Sequence, residues 1–171
     1  MKSVLFVLVC FFSFCSAEAQ MPSQPTEAPY LKNPGIPPFK LLEVDSITYL
    51  TKDVLKKNQL VMLMFFSPEC EHCKHQMRDI LDNFNQFKDI QIVMATFQPF
   101  NEMKAFYTYF RIGDHANIHM GRDEHYMLPP FFRMQSLPYL ALYDKKGQLI
   151  AHFEGNQKID TIMNAFQGKG K

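Results

Sequence analysis

Val61, Met62, Leu63, Met64, Phe65 and Phe66 are apolar without a break, and the chain turns polar directly after them at Ser67-Pro68-Glu69-Cys70. A half-exposed strand alternates apolar and polar residues, so a short run without alternation predicts a strand covered on both faces. A different period follows. Cys73, Met77, Ile80, Leu81, Phe84 and Phe87 recur at intervals of three and four, which marks one face of a helix. Residues 90–95 (IQIVMA) then return as a strand. Together these predict a strand, helix, strand unit with a right-handed crossover, and they place Cys70 and Cys73 at its first turn.

The remaining elements are read around that unit. Residues 39–44 alternate weakly and suggest a first strand, and 51–57 a short helix. Residues 101–110 form a second helix, with Met103, Phe106, Tyr107 and Phe110 on one side. From 113 to 130 the pattern is irregular. Residues 139–143 (YLALY) and 148–153 (QLIAHF) are two strands whose short connection, Asp144-Lys145-Lys146-Gly147, makes an antiparallel hairpin. Ile159, Ile162, Met163 and Phe166 mark a closing helix.

The first residues, MKSVLFVLVCFFSFCSAEAQ, have a charged start, an apolar run and a small-residue site Ala17-Glu18-Ala19. That is the layout of a cleaved secretory signal over 1–19. The apolar run is shorter than the roughly 20 residues that span a bilayer, so no stable membrane insertion is expected after cleavage. Residues 20–38 are crowded with proline and read as a flexible tether. The rest, 39–171, has the size of one domain. A net charge of +1 with no basic run gives no indication of nucleic-acid binding.

Cleavage before Gln20 removes Cys10 and Cys15 and leaves Cys70 and Cys73 as the cysteines of the mature chain. A structural staple gains from closing a long loop, and two cysteines three apart close almost none. A redox pair is the expected reading, in an exported and oxidising setting. The thiolate is the reactive species, and the unpaired amides and positive dipole end of a helix's first turn stabilise it. Cys70 opens that turn toward solvent, whereas Cys73 rotates onto the apolar face. His72 can donate to the thiolate, while Glu69 and Glu71 put negative charge beside it and beside any substrate approaching it.

With these residues in view, LMFFSPECEHCKHQM followed by QSLPYLALYDKKGQLIAHFEG resembles the exported TlpA-like and redoxin-like thioredoxin proteins, particularly those of Bacteroidetes-type bacteria. The resemblance implies a single-domain α/β, thioredoxin-like fold with a central mixed sheet and flanking helices. It implies that Cys70 attacks and Cys73 resolves, with no cofactor and no metal. It implies that Pro138 is the cis-proline packed opposite the pair, with the Leu137 backbone presenting hydrogen-bonding groups to a substrate peptide. Partners would be protein thiols and disulfides together with a separate redox partner, most naturally in the bacterial periplasm. His72 is similar to the histidine of the disulfide isomerases and DsbA-like oxidases. Two departures from thioredoxin itself stand out: Met64 replaces a buried aspartate and Glu69 replaces a tryptophan.

Two other readings share the motif. A redoxin-type peroxidase would also carry a proline shortly before its cysteine, but Ser67 stands where that family has threonine. A copper-handling protein would use the cysteines with a histidine. His115, His119 and His125 are set among glycines and are not expected to hold a structural metal. Tyr126, Met127, Phe131, Phe132 and Met134 either cover the sheet or form an apolar docking surface. The exported protein is expected to begin at Gln20. Intact mass measurement of secreted material would expose the error if residues 1–19 were retained or Cys15 acylated.

Overall fold

The strand at Leu60–Phe65, here β3, is buried from Val61 onward because it lies inside the sheet with a packed apolar layer on each face. Β4 (Ile90–Thr96) pairs with it in parallel and β6 (Tyr139–Tyr143) pairs with it antiparallel. The structure, a computed structural model, describes residues 27–169, so the signal segment and the start of the proline-rich stretch lie outside the described residues. The other strands are β1 (Lys40–Glu43), β2 (Tyr49–Thr51), β5 (Ile118–Arg122) and β7 (Leu149–Glu154), and the helices are α1 (Pro29–Lys32), α2 (Glu71–Asp82), α3 (Phe100–Tyr109), α4 (Leu128–Phe132) and α5 (Ile159–Phe166). The strands form one mixed sheet in the order β2-β1-β5-β4-β3-β6-β7.

Alternation along the central strands divides the core into two layers. Met62, Met64, Ile92, Met94, Leu140 and Leu142 face a layer completed by Cys73, Met77 and Ile80 of α2, Met103 and Phe106 of α3, and Ile162 of α5. On the opposite face Val61, Leu63, Phe65, Val93, Ala95 and Tyr139 pack with Leu41, Leu50 and the α4 residues Leu128 and Phe132. The result is a single α/β domain with helices on both faces of a mixed sheet, and α2 starts where β3 ends.

Three expectations are corrected. Residues 51–57 are not a helix: Thr51 is extended and pairs with Lys40, and only a 3-10 turn, Lys52–Val54, follows. The buried Gln91 side chain then clamps the chain, accepting from Lys56 N at 2.6 Å and donating to Lys56 O at 3.0 Å. Residues 113–130 are not irregular throughout, since they contain β5 and α4. Gly121, which read as a loop marker, is a strand residue required by close approach. A Cβ there would sit 2.7 Å from Leu41 Cβ and 3.1 Å from the Leu42 carbonyl oxygen.

The expected tether at 20–38 is, from Ala28 onward, laid against the domain. Leu149 N donates to Pro34 O at 2.7 Å and Ile36 N to Gly147 O at 3.1 Å, while the Tyr30 ring meets Phe132 and His152. The prolines hid this, because few amides and few apolar side chains suffice to dock so short a segment. Gly121→Ala is expected to destabilise the domain by about 1–3 kcal/mol, as overpacking against rigid backbone does. A lower urea midpoint with unchanged slope would show it, and an unchanged midpoint would contradict the close β1–β5 contact.

Candidate active site

Cys70 is the residue that caps α2. Its backbone is extended (φ −77°, ψ 114°), and its sulfur accepts a hydrogen bond from Cys73 N at 3.3 Å, doing for this helix what a serine or aspartate oxygen does elsewhere. The turn is prepared by Cys70 N donating to Ser67 O at 3.1 Å, with Pro68 buried beneath it. Across from it runs the loop before β6. The Cys70 sulfur lies 4.0 Å from the Leu137 carbonyl oxygen, and the Leu137–Pro138 peptide is cis. Leu137 N has no hydrogen-bond partner among the described residues.

The two sulfurs are free and lie in different surroundings. Cys70 is partly exposed, whereas Cys73 is fully buried within the layer that holds Met64, Met77 and Phe106. Burial, reinforced by the adjacent Cys70 sulfur, pushes the Cys73 thiol well above its ordinary value. Met64 adds nothing polar to that environment. Beside the pair, Lys74 donates to Glu71 at 2.8 Å and holds its carboxyl below the usual carboxylate range. Glu71 is therefore half of an ion pair, and the negative charge expected next to the thiolate is partly answered by Lys74. Glu69 is exposed and lines, with Glu71, Arg78, Glu102 and Tyr109, a cleft of about 430 Å3 between α2 and α3. His72 is exposed on the first turn, and its ring makes no hydrogen bond to either sulfur or to any other described residue.

Residues 49–167 match the family described as the thioredoxin-like domain. The chain belongs to that family. None of the curated proteins matches this thioredoxin-like chain. Solved structures do, over most of their own length. A candidate thiol:disulfide interchange protein DsbE from Chlorobium tepidum is 17% identical, with 79% of this chain and 92% of that one covered at a TM-score of 0.63. A secreted Mycobacterium tuberculosis disulfide oxidoreductase homologous to E. coli DsbE is 12% identical, with 77% and 96% covered at 0.62. Peroxidoxin BcpB from the same organism is 13% identical, with 78% and 94% covered at 0.64. At these identities the likeness is one of fold.

The aromatic stretch of this thioredoxin-like domain divides between the two roles considered for it. Phe132 is core, whereas Tyr126 is 53% exposed and meets Phe97, 38% exposed, edge to face at 5.1 Å. With Met134 and Leu137 they border a groove of about 130 Å3 next to the cysteine turn. Tyr126 holds a left-handed backbone (φ 51°), uncommon for a bulky residue. The buried Asp123 carboxylate helps to keep it there by accepting from Met127 N at 3.1 Å and Leu128 N at 2.9 Å.

His115, His119 and His125 are not brought together. His115 packs its ring on Phe84 at 4.3 Å, His119 is a half-buried residue of β5, and His125 is exposed beyond it. Among the described residues no group of three or more potential ligands is placed to hold a metal ion.

Sequence reasoning passed over Gln76 and Glu154, and weighed Asp123 only as a metal ligand beside His115, His119 and His125. Gln76 was legible, being a polar residue on the buried stripe of α2. Its side chain accepts from Gln157 N at 2.6 Å and donates to Gln157 O at 3.2 Å, tying α2 to the turn after β7. Glu154 and the amide-binding role of Asp123 gave no signal, because carboxylates in turns and edge strands are ordinarily solvated.

The raised Cys73 pKa has a stability consequence. An unfolded cysteine ionises from about pH 9, the ordinary value here, while the folded thiol stays neutral. The group's contribution is complete below pH 9 and is lost as pH rises above it. Reduced protein is expected to lose up to ~1.4 kcal/mol per pH unit there. The Cys73→Ala variant should lose less between pH 9 and 10, before buried Tyr139 and Tyr143, also pushed up by burial, begin to contribute. Equal slopes in denaturant titrations of the two proteins would contradict the assignment.

Proposed function

We propose that the chain is an exported thiol-disulfide oxidoreductase that exchanges disulfides with protein substrates through Cys70 and Cys73. The observation that carries the reading is the pairing of one accessible sulfur, seated on the amide of a helix N-terminus, with a second sulfur sealed directly behind it. The first can be reached by a polypeptide, and the second only by the first.

In the reducing direction the Cys70 thiolate attacks one sulfur of a substrate disulfide. A Cys70-substrate disulfide forms as the substrate S–S bond breaks, and the departing sulfur leaves as a thiolate that takes a proton. Cys73 then gives up its proton, attacks the Cys70 sulfur and expels the second substrate sulfur. The substrate gains two electrons and the Cys70–Cys73 pair loses two. Run backwards, the same steps oxidise a substrate dithiol. A separate dithiol or disulfide partner restores the pair.

The surroundings support a polypeptide substrate. Leu137 offers an N–H unpaired among the described residues and a carbonyl oxygen beside Cys70, suited to main-chain bonding with an extended segment, and buried Pro138 backs that edge. The groove bordered by Phe97, Tyr126 and Met134 suits a large apolar side chain near the substrate cysteine. Glu69 and Glu71 rim the opposite side, and His72 brings positive charge to the first turn when protonated. We place the mature protein outside the cytoplasm, in the bacterial periplasm, on the strength of the secretory leader expected over residues 1–19 and the resemblance to exported TlpA-like proteins. No helix among the described residues is long and apolar enough to cross a membrane.

The division of labour is testable by trapping. Cys73→Ser should retain attack but lose resolution, and so accumulate mixed disulfides with substrate on Cys70. Cys70→Ser should be inactive in insulin disulfide reduction and trap almost nothing. If Cys70→Ser were the better trap, or if the unaltered protein left insulin disulfides intact while consuming peroxide, this reading would be abandoned.

A further inference from the structure

The edge that faces Cys70 is not held by the sheet. Leu137 precedes β6, and its N–H has no partner among the described residues, so something else must keep its carbonyl 4.0 Å from the Cys70 sulfur. The residues just before it converge on one side chain. Glu154, the last residue of β7, accepts from Gln135 N at 3.1 Å through Oε1, and from Ser136 N at 3.0 Å and Ser136 Oγ at 3.1 Å through Oε2. On the other side of Leu137, Gly155 N donates to Pro138 O at 2.9 Å. Leu137 is thus spanned by bonds to two successive residues, Glu154 and Gly155.

The same turn also grips the cysteine helix. Gln157 Nε2 donates to Glu154 O at 3.2 Å, and the Gln157 backbone exchanges two bonds with the fully buried Gln76 side chain of α2. Asn156 Nδ2 adds a third bond to Gln76 at 3.2 Å. Residues 154–157 therefore hold both the helix that carries Cys70 and the loop that carries Leu137.

Resting on the proposal that Cys70 exchanges disulfides with polypeptides, we infer that Glu154 is a positioning residue that holds the Leu137 edge in register with Cys70 for substrate docking. Its anionic oxygens suit the task. Amides and a hydroxyl bonded to a carboxylate are held more strongly than by a neutral acceptor. Glu154 touches neither sulfur, so its effect is on docking rather than on sulfur chemistry.

The test compares Glu154→Ala, Glu154→Gln and the unaltered protein in insulin reduction, alongside iodoacetamide alkylation of Cys70, which needs no peptide edge. Glu154→Ala is expected to raise KM about tenfold, equivalent to ~1.4 kcal/mol, with kcat and the alkylation rate within about twofold. Glu154→Gln, which keeps a carbonyl acceptor for one amide, should fall between. An unchanged KM in Glu154→Ala, or alkylation slowed in proportion to KM, would overturn the inference while leaving the exchange reading intact. An unaltered protein that does not reduce insulin would overturn both. Should Glu154→Ala not fold, Ser136→Ala and Glu154→Gln decide the matter: each should raise KM with alkylation unaltered, and no rise in either refutes the role.

Discussion

The hydrogen bond from Cys73 N to the Cys70 sulfur links the fold to the site. A helix start leaves amides unsatisfied, and here a thiol takes the place of the usual oxygen cap. That single contact sets Cys70 at the surface, fixes Cys73 one turn further into the helix, and turns it toward the apolar layer. It depends in turn on β3, which delivers the chain to this point while buried on both faces. A polar residue in β3 would disturb the layer that seals Cys73.

The buried polar side chains act as pins between loops and core. Gln91 holds Lys56, Gln76 holds Gln157, and Asp123 holds the backbone at 127 and 128. Asn117 donates to Phe87 O at 2.9 Å and Ile90 O at 2.8 Å, tying the start of β5 to the start of β4. Gln91, Gln76 and Asp123 are themselves buried, where a polar group left without its bond costs about 1–3 kcal/mol, and Asn117 is half-buried. Two of the four flank the cysteine site, so its walls are braced by polar bonds and its floor by apolar packing.

The strands and helices that pack on the core were legible because burial imposes a period. The apolar run of β3, the three-and-four spacing of α2 and the hairpin after Pro138 all carry that imprint, and they bring Cys70, Cys73 and Leu137 together. Β5 was hidden because Gly121 is an exception imposed by its neighbour Leu41, and a neighbour across a sheet leaves no mark in local sequence. Glu154 was hidden for a related reason. Its role is defined by amides at 135 and 136, some twenty residues away, and a carboxylate in an edge strand looks the same whether it meets water or a loop.

The proline-rich segment ahead of β1 has a bearing on how the domain behaves in a crowd. Β7 ends the sheet, and an unpaired strand edge is a template on which further chains can add. Gly35 bridges to Gln148, with flanking bonds at Pro34 and Ile36, so the start of that edge is already occupied. The occupant is a poor template in its own right, since Pro34, Pro37 and Pro38 carry no N–H to offer. The chain thus covers part of its own open border with a segment that accepts pairing and passes none on, a safeguard against fibre growth.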